Sequence, residues 1–225
     1  MRQKKKNKKR RIKILKIVGV LVVLGSIVLI GINISIKNIY VKGNQILTDQ
    51  EIIELAGIEH YPKLFSVSSN KLENKIKMNP VVESVHIKKN LFGRVDIEIK
   101  EYNRLLKDEV DNGIYLSNGK KVNVDDLVVG LPSLTNVVDE KVLTTFLKKL
   151  DTIDKNVLEK ISEIEYSPNE YDKDLFLFYM NDGNYVYITT TRLLNINKYE
   201  SVLRELDGKK GILYLDSGNH FEVLE

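Results

Sequence analysis

The chain has 225 residues, 43% hydrophobic and 29% charged, enough to build the cores of two modest domains and too balanced for wholesale disorder. Its formal charge of +4 misleads: ten of the 35 Lys and Arg lie in the first sixteen residues, which leaves 25 against 31 Asp and Glu, an excess of 6 carboxylates, in the remainder. That distribution argues against nucleic-acid binding by the folded part, and the absence of cysteine excludes disulfides, thiol catalysis and Cys-ligated metal.

Residues 1–16, MRQKKKNKKRRIKILK, form a basic arm without a single carboxylate. From Ile17 to Ile36 the sequence IVGVLVVLGSIVLIGINISI carries no charge over twenty residues. At about 1.5 Å per residue, a helix of that length crosses the ~30 Å hydrocarbon core of a bilayer. A cleaved signal peptide has an apolar stretch of only about 7–15 residues and a small-x-small cleavage site, neither of which fits. The expectation is therefore a retained transmembrane helix over 17–36. The basic arm then stays in the cytoplasm against membrane lipids, and everything after it lies outside.

Residues 37–104 read as a first external domain. Ile39 and Val41 share one face of a short strand that Gly43-Asn44 ends. Thr48-Asp49-Gln50-Glu51 has the form of a capping box and opens a helix with Ile52, Leu55 and Ala56 on one face and a stop at Gly57. After the connection YPKLFSVSS, a second helix turns Leu72, Ile76 and Met78 toward the core before Pro80. Two strands follow, VVESVHIKK and RVDIEIKEY, joined by Asn90-Leu91-Phe92-Gly93, with Val85, Ile87, Val95, Ile97 and Ile99 on the apolar face. The order β-α-α-β-β implies a three-stranded sheet with one face under two helices.

That string of residues, from Ile39-x-Val41-x-Gly43-Asn44 through Leu64-Phe65-x-Val67 and Pro80-x-Val82-x-x-Val85-x-Ile87 to Ile97-x-Ile99-x-Glu101, resembles the FtsQ-type POTRA domain. It spans about seventy residues in the family's order and follows a helix with its N-terminus inside.

Residues 105–225 are rich in hairpin signals, with Asp111-Asn112-Gly113, Ser117-Asn118-Gly119 and Asn181-Asp182-Gly183 between apolar runs. Residues 140–151 and 193–206 read as amphipathic helices, with Val142, Phe146, Leu147 and Leu150 facing inward in the first and Leu194, Tyr199, Val202, Leu203 and Leu206 in the second. ISEIEYS, LFLFYMN and YVYITTT read as strands, and GILYLDSGNHFEVLE as a last strand and a turn. Leu131-Pro132-x-Leu134 and Gly211-Ile212-x-Tyr214-Leu215-Asp216-Ser217-Gly218 resemble the β domain of DivIB/FtsQ proteins. The fold class expected for the whole is α+β: a transmembrane helix, a POTRA-like domain and a second β-rich domain.

No catalytic constellation emerges. His60, His86 and His220 stand singly, without H-E-x-x-H or clustered ligand spacing. No G-x-S-x-G elbow, P-loop or G-x-G-x-x-G occurs, and Gly25-Ser26 lies inside the apolar run. The acidic pairs Asp125-Asp126 and Asp172-x-Asp174 lack an EF-hand pattern. No enzyme activity, metal, cofactor or small-molecule substrate is expected.

The resemblance implies a divisome scaffold at the septum. It would bind bitopic division proteins of the FtsB/DivIC and FtsL types and support septal peptidoglycan synthesis. Family binding residues carry over to Tyr214, Leu215, Ser217 and Gly218, with Phe221 as a nearby apolar candidate. The same residues admit a purely structural reading, in which Leu215 is core and Gly218 serves the turn. Other functional classes stay open from sequence: a membrane-anchored sensor, a chaperone-like binder of exported peptides, or a cell-wall enzyme.

Overall fold

A computed structural model describes residue 13 and residues 15–26, 33–123, 130–206 and 208–224. Residues 15–26 are helical (α1) and their apolar side chains are exposed. Among the described residues no helix is long and apolar enough to cross a membrane. The expected span extends through residues 27–32, which lie outside the described residues, as do 1–12 of the basic arm. The chain divides into two compact units, the first ending at Glu101 and the second beginning at Tyr102.

The first unit contains β1 (Asn38–Lys42), α2 (Asp49–Ala56), α3 (Ser69–Lys77), β2 (Val82–Lys89) and β3 (Arg94–Glu101). The sheet order is β1-β3-β2, with β1 parallel to β3 and β2 antiparallel to it. Alternation does the sorting: Val95, Ile97 and Ile99 of β3 enter the core with Val85 and Ile87 of β2, and meet Ile52, Ala56, Leu72 and Ile76 from the helices. Thr48 caps α2 in a complete capping box with Glu51, and Gly57 ends the helix at φ 70°.

Two sequence expectations change here. The apolar run does not stay helical to Ile36: Ser35 bridges Lys63, and Ile36 is buried in the core with its amide on the Pro62 carbonyl at 2.9 Å. Met78 is 83% exposed, because α3 ends at Lys77 and a residue two positions past Ile76 turns nearly half-way round the helix from the core face.

The second unit holds a nine-stranded sheet. Its strands are β4 (Arg104–Asp108), β5 (Gly113–Leu116), β6 (Lys121–Val122), β7 (Ser133–Leu134), β8 (Ile161–Tyr166), β9 (Leu175–Met180), β10 (Tyr185–Thr189), β11 (Gly211–Tyr214) and β12 (His220–Val223). The order is β12-β11-β10-β9-β8-β7-β4-β5-β6. One face is covered by α4 (Glu140–Leu150), α5 (Lys155–Leu158), a 3-10 helix (Thr190–Lys198) and α6 (Tyr199–Glu205). Phe146 of α4 stacks on Phe176 at 4.0 Å between ring centres and meets Phe178 edge-on at 6.2 Å, anchoring the helix over β9.

The segment expected as one α-helix over 193–206 begins instead as the 3-10 helix. At three residues per turn, Thr190, Leu193, Ile196 and Tyr199 share the buried face, and Leu194, expected inward, is exposed. The expected last strand and turn are a hairpin of two strands, β11 and β12.

Candidate partner-binding edge

β12 is the terminal strand of the large sheet, and β11 connects it to the rest. Three local features make β11 a rigid seat. Asn184, buried at the β9–β10 turn, accepts the Gly211 amide at 2.9 Å and donates to Asp182 at 3.1 Å. The buried Tyr199 hydroxyl donates to both Asp182 oxygens at 3.0 Å, so α6, the turn and the start of β11 form one polar chain. Burial, together with the Asp182 charge, holds the Tyr199 phenol well above its usual range, so it stays a donor. Gly211 itself leaves no room for a side chain: a Cβ there would lie 2.0 Å from the Glu222 carbonyl oxygen and 2.6 Å from the Phe221 ring.

The register Gly211↔Val223, Ile212↔Glu222, Leu213↔Phe221 and Tyr214↔His220 assigns faces to every site residue. Leu213 and Leu215 belong to the core, and the Leu215 amide donates to Tyr187 at 2.8 Å. Phe221 is half-buried on the same face. Tyr214 lies on the opposite face, stacked between Tyr187 at 5.5 Å and His220 at 4.4 Å, and donates to Glu222 at 3.0 Å. That hydrogen bond raises the Tyr214 phenol above its ordinary value. Ser217 and Gly218 are exposed in the connecting turn, which Asn219 closes at φ 59° with its amide on Tyr214 at 2.9 Å.

The structure therefore brings Tyr214, Ser217 and Gly218 to the surface of one hairpin and commits the Leu215 side chain to the interior. Sequence reading missed Tyr179, Tyr185, Tyr187, His220 and Glu222, which share the helix-free face of the sheet. Alternation in YVYIT places Tyr185 and Tyr187 together and could have found them. On that face Tyr179 donates to Glu165 at 2.7 Å, and its phenol is pushed up to about 12.

The edge itself is open. The Leu224 amide bonds to the Lys210 carbonyl at 3.0 Å, and antiparallel alternation from that bond turns the amide and carbonyl of Phe221 and Val223 away from β11. Among the described residues no strand pairs with β12 on that side.

No group of three or more His, Asp or Glu that could hold a metal ion occurs among the described residues. His60 and His86 lie singly beside Glu59 and Glu73, at 3.8 and 3.6 Å. Asp125 and Asp126 lie outside the described residues.

An α+β module with two helices on a β1-β3-β2 sheet, followed by a β-rich unit ending in an open hairpin, defines an FtsQ-type POTRA protein, and the FtsQ-type POTRA domain matches residues 34–102. Cell division protein DivIB of Bacillus subtilis (strain 168) is 32% identical over 200 residues, covering 84% of this chain and 74% of that protein. DivIB of Listeria monocytogenes is 28% identical over 233 residues, covering 97% and 85%. The chain belongs to the DivIB family of cell division proteins and acts in cell division. The major extracytoplasmic domain of DivIB from Geobacillus stearothermophilus aligns at TM-score 0.41 and 24% identity, over 48% of this chain and 96% of that one.

Proposed function

We propose that the protein is a non-enzymatic, membrane-anchored scaffold of the division machinery. The β12 edge captures an extended segment of a bitopic division protein of the FtsB/DivIC or FtsL type, in support of septal peptidoglycan synthesis. The observation that carries this reading is the unpaired main chain of Phe221 and Val223. An incoming strand gains backbone hydrogen bonds there, while the Tyr187-Tyr214-His220 stack and Glu222 offer side-chain contacts on the helix-free face. The anchor reading draws support from the uncharged run that starts at Ile17 and from the exposure of Leu21, Val22, Val23 and Leu24 on α1.

Val223→Pro tests the edge. Proline removes the outward donor at position 223, while the Glu222 and Leu224 bonds to β11 are left in place. Pull-down from solubilised membranes should lose the DivIC-type partner with Val223→Pro and with Tyr214→Asp, with both variants still membrane-inserted. Undiminished capture by both would sink the proposal. As a fluorescent fusion the protein gathers at midcell under this reading; an even distribution around the envelope would favour a general sensor.

A further inference from the structure

The topology of the first unit determines which of its ends faces the expected anchor. Because β1 runs parallel to β3, both strands begin at the same end of the sheet, and the β2–β3 hairpin at residues 90–93 lies there too. The chain reaches β1 through residues 33–37, which touch that hairpin. The Lys37 amide donates to the Gly93 carbonyl at 2.7 Å, and a Cβ at Gly93 would lie 2.6 Å from the Ser35 carbonyl oxygen. The loop after α2 joins them: Ser35 bridges Lys63, and the Leu64 amide donates to Ile34 at 2.8 Å.

At this end four large apolar side chains stand in solvent: Phe92 82%, Leu91 68%, Phe65 51% and Tyr61 49% exposed. The hairpin presenting two of them is fixed, since the Asn90 side-chain oxygen accepts from the Phe92 and Arg94 amides at 2.9 and 3.0 Å. Lys89 donates to the Leu64 and Val67 carbonyls at 3.1 and 2.5 Å and ties the loop to the sheet.

The three segments 33–37, 61–67 and 88–94 carry Lys37, Lys63, Lys88, Lys89 and Arg94 and no carboxylate, although the chain beyond its basic arm is acidic overall. Arg94 is paired with Asp96, and Lys88 lies 4.0 Å from Glu98. Lys37, Lys63 and Lys89 form no ion pair among the described residues.

We infer that this end of the first unit is a lipid-facing surface: Leu91 and Phe92, flanked by Tyr61 and Phe65, enter the interfacial layer of an anionic phospholipid bilayer, with the exposed Lys37 and Lys63 against headgroup phosphates. Aromatic rings favour that layer and lysines favour anionic lipid. The inference rests on the reading of the 17–36 run as a membrane anchor. Given that anchor, tethering holds the tip beside the bilayer, so a small apolar surface suffices. The strands of β1, β2 and β3 then stand end-on to the membrane.

The chain has no tryptophan, so Phe92→Trp, Leu21→Trp and Tyr171→Trp each place one emitter in the full-length protein. Each is reconstituted in phosphatidylglycerol/phosphatidylethanolamine vesicles with brominated acyl chains. Phe92→Trp should emit at shorter wavelength than Tyr171→Trp and lose about half its intensity to bromine, as an interfacial indole does. Adding Lys37→Glu and Lys63→Glu should reduce that loss. Quenching of Leu21→Trp with free emission from Phe92→Trp, as for a tip held in water or in a protein groove, overturns the inference and leaves the anchor standing. An unquenched Leu21→Trp overturns the anchor reading and this inference with it.

Discussion

Glu101, the last residue of β3, accepts three consecutive main-chain amides, from Gln45, Ile46 and Leu47, at 2.8, 2.7 and 3.0 Å. Those amides belong to the turn that carries the chain from β1 to α2, where no strand or helix supplies partners. Gly43 makes the approach possible: it adopts φ 90°, and a Cβ there would lie 2.1 Å from the Ile99 carbonyl oxygen. The sequence shows Gly43-Asn44 as a turn and Glu101 as a strand end, but nothing in it links positions more than fifty residues apart. Charged hydrogen bonds of this kind are worth roughly 1.5–3 kcal/mol each, and stranded amides recover part of that from water. Glu101→Ala should therefore cost about 3 kcal/mol and Glu101→Gln less, measured by urea denaturation of the full chain. Equal stability of all three proteins would refute this role.

At the scale of elements, local chemistry was legible wherever it was complete within a short stretch. The Thr48–Glu51 capping box, the Gly57 stop and the period-two run of β3 all formed as the residues indicate. The 3-10 helix was misread because Leu193, Leu194 and Ile196 satisfy an α-helical and a 3-10 spacing equally well, and burial against β10 selects the second. β12 was missed because HFEV has one strongly apolar inward side chain, Phe221, and its strand state comes from pairing with β11.

The β4–β5 turn is held by ions as well. Asp108, 5% exposed at its side chain, accepts from Lys121 at 3.0 Å and from the Val110 amide at 3.0 Å, and Lys121 also binds Asp111 at 2.6 Å. Burial alone would raise the Asp108 carboxyl, but the Lys121 hydrogen bond and the Asp111 and Val110 amides outweigh it and hold it below its usual value. A carboxyl depressed in the folded state stabilises the fold above its unfolded value, near pH ~3.9, and that stabilisation is lost as pH falls through the folded value. Acid unfolding of the second unit should therefore be shallower in Asp108→Asn than in the parent. Parallel acid profiles for the two would contradict the assignment.

For the whole molecule, the basic arm and the β-α-α-β-β order were legible because each depends on composition or on local periodicity, whereas the family was legible only through the resemblance of the string from Ile39 to Glu101 to the FtsQ-type POTRA domain. The position of β12 at the sheet margin was not legible, since strand order in a nine-stranded sheet arises from pairings remote in sequence. Leu215 illustrates the cost. It sits in the same motif as Tyr214, but only the register reveals that one is core and the other faces out.

Amide hydrogen exchange of the full-length protein, with and without a co-reconstituted DivIC-type bitopic partner, tests the account at its centre. The main-chain amides of Phe221 and Val223, which face away from β11, should exchange freely alone and become protected in the complex, with Glu222 and Leu224 changing little. Unchanged exchange at Phe221 and Val223 in a complex that has demonstrably formed would contradict strand capture at β12.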